Sequence, residues 1–134
     1  MLLRIVLDTN IYISAALIGR VCEEILKICR LSNLEVFISK NIIVEIETKL
    51  KNKFFWNEKQ IELFIENILE FCSIAEISEK IIYIKDDADD DKILECAVAS
   101  RCAYIVSGDK HLVKLKSFRN IKILKPAEFL ILIR

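Results

Sequence analysis

Glycine and proline are scarce in this sequence, which has two glycines and one proline among 134 residues. Flexible linkers, collagen-like repeats and proline-rich disordered segments need far more of both residues, so the composition excludes them. Hydrophobic residues make up 54% of the chain, enough to bury the core of a domain of ordinary size. We therefore expect residues 1–134 to form one domain without internal repeats.

The chain also lacks a surplus of charge, because 20 lysine and arginine residues balance 20 aspartate and glutamate residues. This balance excludes a strongly basic nucleic-acid-binding domain, but not an enzyme whose bound metal ions supply the positive charge. No uninterrupted apolar run approaches the roughly 18 residues of a membrane span, and Arg4 interrupts the first strand candidate, unlike a signal peptide. We expect no membrane contact.

The cysteines show no pairing pattern. Their number, five, is odd, and none has the CxxC spacing of zinc or redox sites. Such cysteines are typical of buried thiols in a reducing compartment, so we expect a cytoplasmic protein. The thiols assigned to the core are those of Cys22, Cys29, Cys72, Cys96 and Cys102.

Strand and helix candidates alternate along the chain. We predict strands over residues 2–7, 34–38, 103–106 and 121–124, with one or both of 73–77 and 81–85. Helices are predicted over 10–18, 22–31, 40–50, 91–100 and 126–131, with a short helix from Lys110, another after Asn57, and Gly19 as a C-cap. This alternation favours a three-layer α/β/α sandwich with a central parallel sheet.

The helix after Asn57 has the clearest start. Gln60 follows Asn57 at the spacing of a capping box, in which each side chain bonds the backbone amide of the other. Trp56 and Ile61 stand at the two positions of a hydrophobic staple. A helix is therefore predicted to begin directly after Asn57.

Acidic residues follow or flank the predicted strands. Asp8 comes directly after the first strand, and Asp109 follows the strand at 103–106. Glu45 lies in the second turn of the helix after the second strand, and an acidic run at 86–91 precedes another helix. Ligands bind beyond the carboxyl ends of the strands in parallel α/β sheets. The topology therefore predicts that these acids converge at one edge of the sheet.

Converging carboxylates need compensation. Two of them about 4 Å apart repel by roughly 4 kcal/mol at an effective dielectric of 20. Protonation, pairing with lysine or arginine, or a divalent cation can offset this repulsion. An all-oxygen site without histidine or cysteine favours Mg²⁺ or Mn²⁺ over zinc, and Mg²⁺ sites commonly accept phosphate oxygens. The acids therefore indicate phosphoryl chemistry.

Each acid also has a purely structural interpretation. Asp109 can cap the helix that follows it, and members of the run at 86–91 can cap the next helix or favour its positive end. Glu45 can pair with Lys49 at i,i+4 spacing. Asp8 ends a buried strand, where a structural role requires a specific partner. For each acid taken alone, the structural interpretation stays open. Taken together, the structural interpretations explain the pattern less well than a metal site does.

Other chemistries find little support. The sequence has no GxxxxGK[ST] or GxGxxG phosphate loop, and its first strand is not followed by the DxD of aspartyl-phosphate phosphatases. His111 has no serine or cysteine pattern that would complete a triad. Lys49, Lys51 and Lys53 precede the aromatic residues at 54–56, which suits either weak binding of single-stranded nucleic acid or a solvated face beside a subunit contact.

Five segments carry a resemblance to a known family. VLDTNIYISA, IIVEIETKL, DDADDDKILECAVAS, YIVSGDKHLVKL and IKILKPAEFL resemble, in order and spacing, a PIN-domain (PilT N-terminal) ribonuclease. The likeness is greatest to the VapC-like toxin components of bacterial and archaeal toxin–antitoxin systems. It covers essentially the whole chain, and the ordered set is more specific than any one segment.

The resemblance implies a Rossmann-like PIN fold and an Mg²⁺- or Mn²⁺-dependent endoribonuclease. The implied catalytic and metal-binding acids are Asp8, Glu45, Asp91 and Asp109. Supporting positions are Asn10, Ser107, Asp87, Asp89 and Asp90, with Ser107 standing where threonine is commoner. We expect a metal-activated water to attack the phosphorus of RNA and leave a 5′-phosphate and a 3′-hydroxyl, without a protein nucleophile.

The resemblance also implies partners. We expect an RNA substrate, a homodimer, and a small antitoxin whose arginine or lysine reaches the acidic site. The alternatives are a noncatalytic PIN-like module that binds RNA or protein, a phosphatase, and a DNA-directed, flap-type nuclease. Loss of one or more acids would favour the noncatalytic module, whereas all four positions are acidic in this sequence.

Overall fold

Six strands form one sheet in the computed structural model, which describes residues 2–17, 19–84 and 88–133. They are β1 (Leu3–Leu7), β2 (Leu34–Ile38), β3 (Cys72–Ile74), β4 (Tyr104–Val106), β5 (Ser117–Phe118) and β6 (Ile121–Leu124). Their order in the sheet is β3-β2-β1-β4-β6-β5. Every neighbouring pair is parallel except β5 with β6. The predicted α/β fold with a central parallel sheet is thus confirmed, and β5 is an unpredicted antiparallel edge.

Seven helices formed by the described residues flank this sheet. They are α1 (Thr9–Leu17), α2 (Arg20–Leu31), α3 (Lys40–Asn52), α4 (Glu58–Leu69), α5 (Ala88–Ala99), α6 (Lys110–Leu115) and α7 (Pro126–Ile133). The helix α5 begins three residues earlier than predicted, because its first turn includes the end of the acidic run. None of these helices is long and apolar enough to cross a membrane.

The segment at 81–84 is not a strand, in contrast to the second of the two extended candidates. Its backbone amides donate to carboxylates of α5 instead of to a neighbouring strand. The strand β3 pairs with β2, with Cys72 opposite Val36 and Ile74 opposite Ile38. The sheet therefore ends at β3. We call the segment at 81–84 the strap, because side-chain carboxylates of α5 hold it.

Two local predictions concern helix ends. The capping box is confirmed, since Asn57 Oδ1 accepts from the Gln60 amide at 2.8 Å and Gln60 Oε1 accepts from the Asn57 amide at 2.9 Å. The prediction of Gly19 as a C-cap is wrong, because Gly19 is the N-cap of α2 with φ −76° and does not need a left-handed conformation. A Cβ there would lie 2.9 Å from the Ser14 carbonyl oxygen, and this close approach explains the glycine.

The core lies against the central strand β1. Ile5, Val6 and Leu7 are fully buried, as expected for a parallel strand with helices on both faces. The cysteines are free thiols, four of them buried and Cys22 half-buried. Burial raises the pKa of the four buried thiols to about 12, so they are core side chains and not nucleophiles, as predicted.

Candidate active site

The chain reverses its direction across the sheet between β1 and β4. From β1 it builds β2 and β3 on one side and then returns to place β4 on the other side of β1. The carboxyl ends of β1 and β4 therefore lie next to each other at the switch point where ligands bind in open α/β sheets. Asp8 and the 107–109 turn follow these two strand ends.

Asp8 extends the ladder of β1 by one residue. Its amide donates to the Val106 carbonyl oxygen at 2.9 Å, which fixes the backbone at the switch point. Only 4% of the residue is exposed. The side chain accepts a 2.7 Å hydrogen bond from the Ser107 hydroxyl to its Oδ2. The specific partner that a buried aspartate requires is thus a neutral hydroxyl, which supplies no positive charge.

Ser107 connects two of the predicted acids. Its hydroxyl donates to Asp8 and accepts from the Asp109 amide at 2.9 Å. Its own amide donates to the Leu124 carbonyl oxygen, so the neighbouring strand β6 holds the residue in place. Ser107 is fully buried. The hydroxyl predicted to support the site therefore orients the Asp8 carboxylate and the backbone of Asp109 at the same time.

Asp109 is the N-cap of α6. Its Oδ1 accepts from the amides of His111 at 2.8 Å and Leu112 at 3.3 Å, which confirms the structural alternative. The capping role does not separate Asp109 from the site, because its charge raises the pKa of Asp8. One side chain thus caps a helix and adds negative charge to the switch point.

Glu45 reaches the site from α3. Ser39 caps this helix, its hydroxyl accepting from the Ile42 amide, and Glu45 follows in the second turn. Oε1 of Glu45 lies 3.1 Å from Lys49 Nζ, so the predicted i,i+4 pair exists. Oε2 is buried and makes no hydrogen bond with any described residue. Lys49 Nζ also donates to Asn10 Oδ1 at 3.3 Å, which brings Asn10 into the group.

The electrostatics of Asp8 show that these groups lie within range of one another. The pKa of the Asp8 carboxyl is raised from 3.8 to about 6, mainly by burial and against the effect of the Ser107 hydrogen bond. The charges of Asp109 and Glu45 contribute to this rise, and that of Lys49 opposes it. Three predicted acids from three separate segments therefore share one field, which Lys49 offsets only in part.

Asp91 is engaged elsewhere. Its Oδ1 accepts from the amides of Ile84 at 2.8 Å and Tyr83 at 3.2 Å. Glu95, one turn further along α5, accepts from the Ile81 amide at 2.8 Å. Both carboxylates are buried and hold the strap at 81–84 against the helix. Asp91 thus has an anchoring contact that the sequence did not predict.

The remaining predicted residues are spread over the surface and interior. Asp89 is half-exposed and pairs with Lys92 at 3.0 Å, whereas Asp90 is buried. Asp87 lies outside the described residues. Lys51 and Lys53 are exposed at the end of α3, unlike the half-buried Lys49. The three lysines are therefore not one solvated face.

The family model of the PIN domain matches residues 4–111 of this chain. The chain belongs to the PIN-domain family. Among solved structures, a chain in the crystal structure of VapBC2 from Rickettsia felis bound to a DNA fragment from their promoter has the same fold. The two chains superpose with a TM-score of 0.67 at 17% identity, over 92% of this chain and 98% of that chain. A comparison with curated proteins finds no match.

The donor set of this PIN domain suits a hard divalent cation. Its converging groups are all oxygen donors, Oε2 of Glu45 has no hydrogen-bond partner in the described part of the chain, and Asp8 is a buried carboxyl in a negative field. Within residues 2–17, 19–84 and 88–133, however, no three His, Cys, Asp or Glu side chains are close enough to hold an ion as they stand. The acids are gathered but not arranged for coordination.

Sequence reasoning missed two features of the site. The pair of Glu45 with Lys49 was predicted, but the hydrogen bond from the Lys49 ammonium to Asn10 was not. Thr9 is fully buried, and its hydroxyl makes no hydrogen bond with the residues that the structure describes. Its position directly after Asp8 was the available indication.

Proposed function

We propose that this PIN domain is a divalent-cation-dependent endoribonuclease and acts as the toxin of a toxin–antitoxin pair. The observation that carries the proposal is the buried Asp8 at the switch point, in the field of Asp109 and Glu45. Such a cluster opposes folding, since its negative charge is buried and Lys49 offsets it only in part. Function explains why three acids from separate segments meet there.

Asp8, Glu45 and Asp109 are the proposed ligands of Mg²⁺ or Mn²⁺. Asp91 joins them on family resemblance alone, because its Oδ1 already accepts two backbone hydrogen bonds. When bound, the cation would lower the pKa of a water ligand and neutralise phosphate charge. Ser107 orients Asp8 through its hydroxyl, and Asn10 holds the Lys49 ammonium beside Glu45.

A covalent mechanism has little support from the thiols of this chain. Burial raises the pKa of Cys29, Cys72, Cys96 and Cys102 to about 12, so these thiols stay protonated near neutral pH. Hydrolysis by water therefore fits the chain better than attack by a cysteine.

The proposed partners follow from the charge of the site and from the relatives. An acidic pocket attracts an arginine or lysine, which supports an antitoxin that inserts such a side chain. The fold shared with a chain of the VapBC2 structure from Rickettsia felis supports a partner protein as well. We further propose that the protein is a cytoplasmic homodimer with RNA as its substrate.

Cleavage of a labelled RNA strand tests the proposed activity. We expect cleavage with Mg²⁺ or Mn²⁺, none with EDTA, and none by Asp8→Asn, which removes the central charge but keeps an oxygen for the Ser107 hydroxyl. The same strand as DNA and a 5′-phosphorylated monoester are the arms that detect a DNA-directed nuclease or a phosphatase. Equal cleavage in EDTA, or by Asp8→Asn prepared in parallel, would reject the assignment. If the folded protein bound RNA without cleaving it, the protein would be the noncatalytic module.

A further inference from the structure

Lys49 differs from the other lysines of its helix. Its side chain is 26% exposed, and its Nζ lies 3.1 Å from Oε1 of Glu45 and 3.3 Å from Oδ1 of Asn10. Its charge also acts on Asp8, whose pKa it lowers. Lys51, two residues later, is exposed. One ammonium is therefore built into the acidic site, whereas its neighbour faces solvent.

The contacts of Lys49 are made with groups that a divalent cation would need. Among Asp8, Glu45 and Asp109, only Glu45 has a buried carboxylate oxygen without a hydrogen-bond partner in the described residues, and the ammonium occupies its other oxygen. A divalent ion held by Glu45 would place a second positive charge on the carboxylate that the Lys49 ammonium contacts. Like charges repel in a partly buried site, so the ammonium and the ion would compete for Glu45.

We propose that Lys49 is a resident counter-cation, which holds Glu45 and Asn10 together without metal and must leave Glu45 before a divalent ion binds. This inference rests on the proposed metal-dependent function. The Lys49 ammonium can move away from Glu45, since its side chain is flexible and 26% exposed. The affinity of the protein for the ion is then set by competition between the ion and Lys49 for Glu45.

The competition is tested by titrating MnCl₂ into the metal-free protein without RNA, followed by calorimetry. We expect Lys49→Gln to bind Mn²⁺ about tenfold more tightly than the wild type, because the competing charge is gone. Lys49→Arg, which keeps the charge, and Lys51→Gln, which removes one exposed charge from the same helix, should stay within about twofold of the wild type. A lysine that merely supported the structure would give weaker binding in Lys49→Gln.

The outcomes separate the two proposals. Mn²⁺ binding by the wild type with equal or weaker binding by Lys49→Gln would overturn the role of Lys49 alone. Absence of Mn²⁺ binding in the wild type and every variant would overturn the proposed function and this inference with it. The affinity of Asp8→Asn gives the baseline for ions bound elsewhere on the protein.

A measurement on the wild type needs a variant only to assign one signal. The ¹⁵N signal of the Lys49 ammonium, assigned by its loss in Lys49→Arg, should shift when Mg²⁺ is added, as Nζ leaves Glu45. The signal of Lys51 should not move. An unchanged Lys49 signal at saturating Mg²⁺ would show that the ammonium stays in place and would contradict the proposal.

Discussion

At the scale of single residues, the site combines structural bonds with an unfavourable charge. The Ser107 hydroxyl donates a hydrogen bond to one carboxylate oxygen of Asp8, and Asp109 caps α6 with one of its own carboxylate oxygens. These contacts fix geometry, but neither supplies a positive countercharge to Asp8. The stability of the metal-free protein should therefore depend on the protonation of Asp8 itself.

Asp8→Asn should stabilise the metal-free protein at pH 7. The pKa of Asp8 is about 6 in the fold against 3.8 for the free side chain, so its contribution to stability is full below pH 3.8 and is lost as the pH rises through 6. The linked loss is about 3 kcal/mol. Asp8→Asn removes this loss, but its NH₂ group is also buried, which costs part of the gain. We therefore expect the free energy of unfolding to rise by about 2 kcal/mol at pH 7. Urea denaturation at pH 7 and pH 4.5 measures it.

The gain should shrink at pH 4.5, where Asp8 is protonated in the folded wild type. Glu66→Gln removes one exposed carboxylate from α4 and serves as the control, with little change expected at either pH. An Asp8→Asn variant less stable than the wild type at pH 7 would mean that the charge of Asp8 is compensated in the metal-free fold.

At the scale of elements, α5 holds the strap that replaces the second extended candidate. Asp91 and Glu95 are one turn apart and accept three backbone hydrogen bonds from the segment at 81–84. The sequence offered a strand candidate at 81–85, but residues 81–84 form no strand, because buried apolar residues such as Ile81 and Ile84 do not specify the partner of the backbone. The neighbouring element decides which acceptors the backbone amides of such a segment meet.

Asp91→Ala should lower the free energy of unfolding by about 1–3 kcal/mol, because the amides of Tyr83 and Ile84 lose their acceptor. Asp91→Asn keeps an acceptor oxygen and should retain most of that stability. Denaturation in urea measures both, and hydrogen exchange at the two amides locates the effect. If Asp91→Ala were as stable as the wild type, the anchoring role would be wrong.

The same pair of variants addresses the proposed fourth ligand. An Asp91→Asn variant that keeps its stability but loses Mn²⁺ affinity would assign Asp91 to the metal as well as to the strap. Unchanged Mn²⁺ affinity in that variant would restrict Asp91 to anchoring.

At the scale of the whole molecule, the site exists because the strand order reverses next to β1. Asp8, Glu45 and Asp109 are separated by 37 and 64 residues along the chain, and only the parallel neighbours β2, β1 and β4 bring their segments to one edge. Their mutual repulsion opposes the folded state, so a ligand that neutralises it should stabilise the entire domain.

Mg²⁺ or Mn²⁺ should therefore raise the melting temperature of the wild type by about 10 °C at saturating concentration. A ligand present at a hundred times its dissociation constant adds about 2.7 kcal/mol, and each kcal/mol shifts the melting temperature of a domain of this size by about 3–5 °C. Asp8→Asn should start from a higher melting temperature and gain little from either ion. A thermal melt with and without the ion measures this, and equal shifts in both proteins would place the bound ions away from Asp8.

The sequence by itself determined the alternation of strands and helices, the capping box at Asn57, the burial of the thiols and the acids at the strand ends. Each depends on periodicity or on neighbours within a few residues, which the sequence displays directly. Only the tertiary structure decided that Ser107 holds Asp8, that the Lys49 ammonium lies among the acids, and that Asp91 anchors a strap. These contacts depend on which side-chain atoms meet after packing. A hydrogen bond forms only within a narrow range of distance and angle, and a sequence pattern does not specify atomic positions that closely.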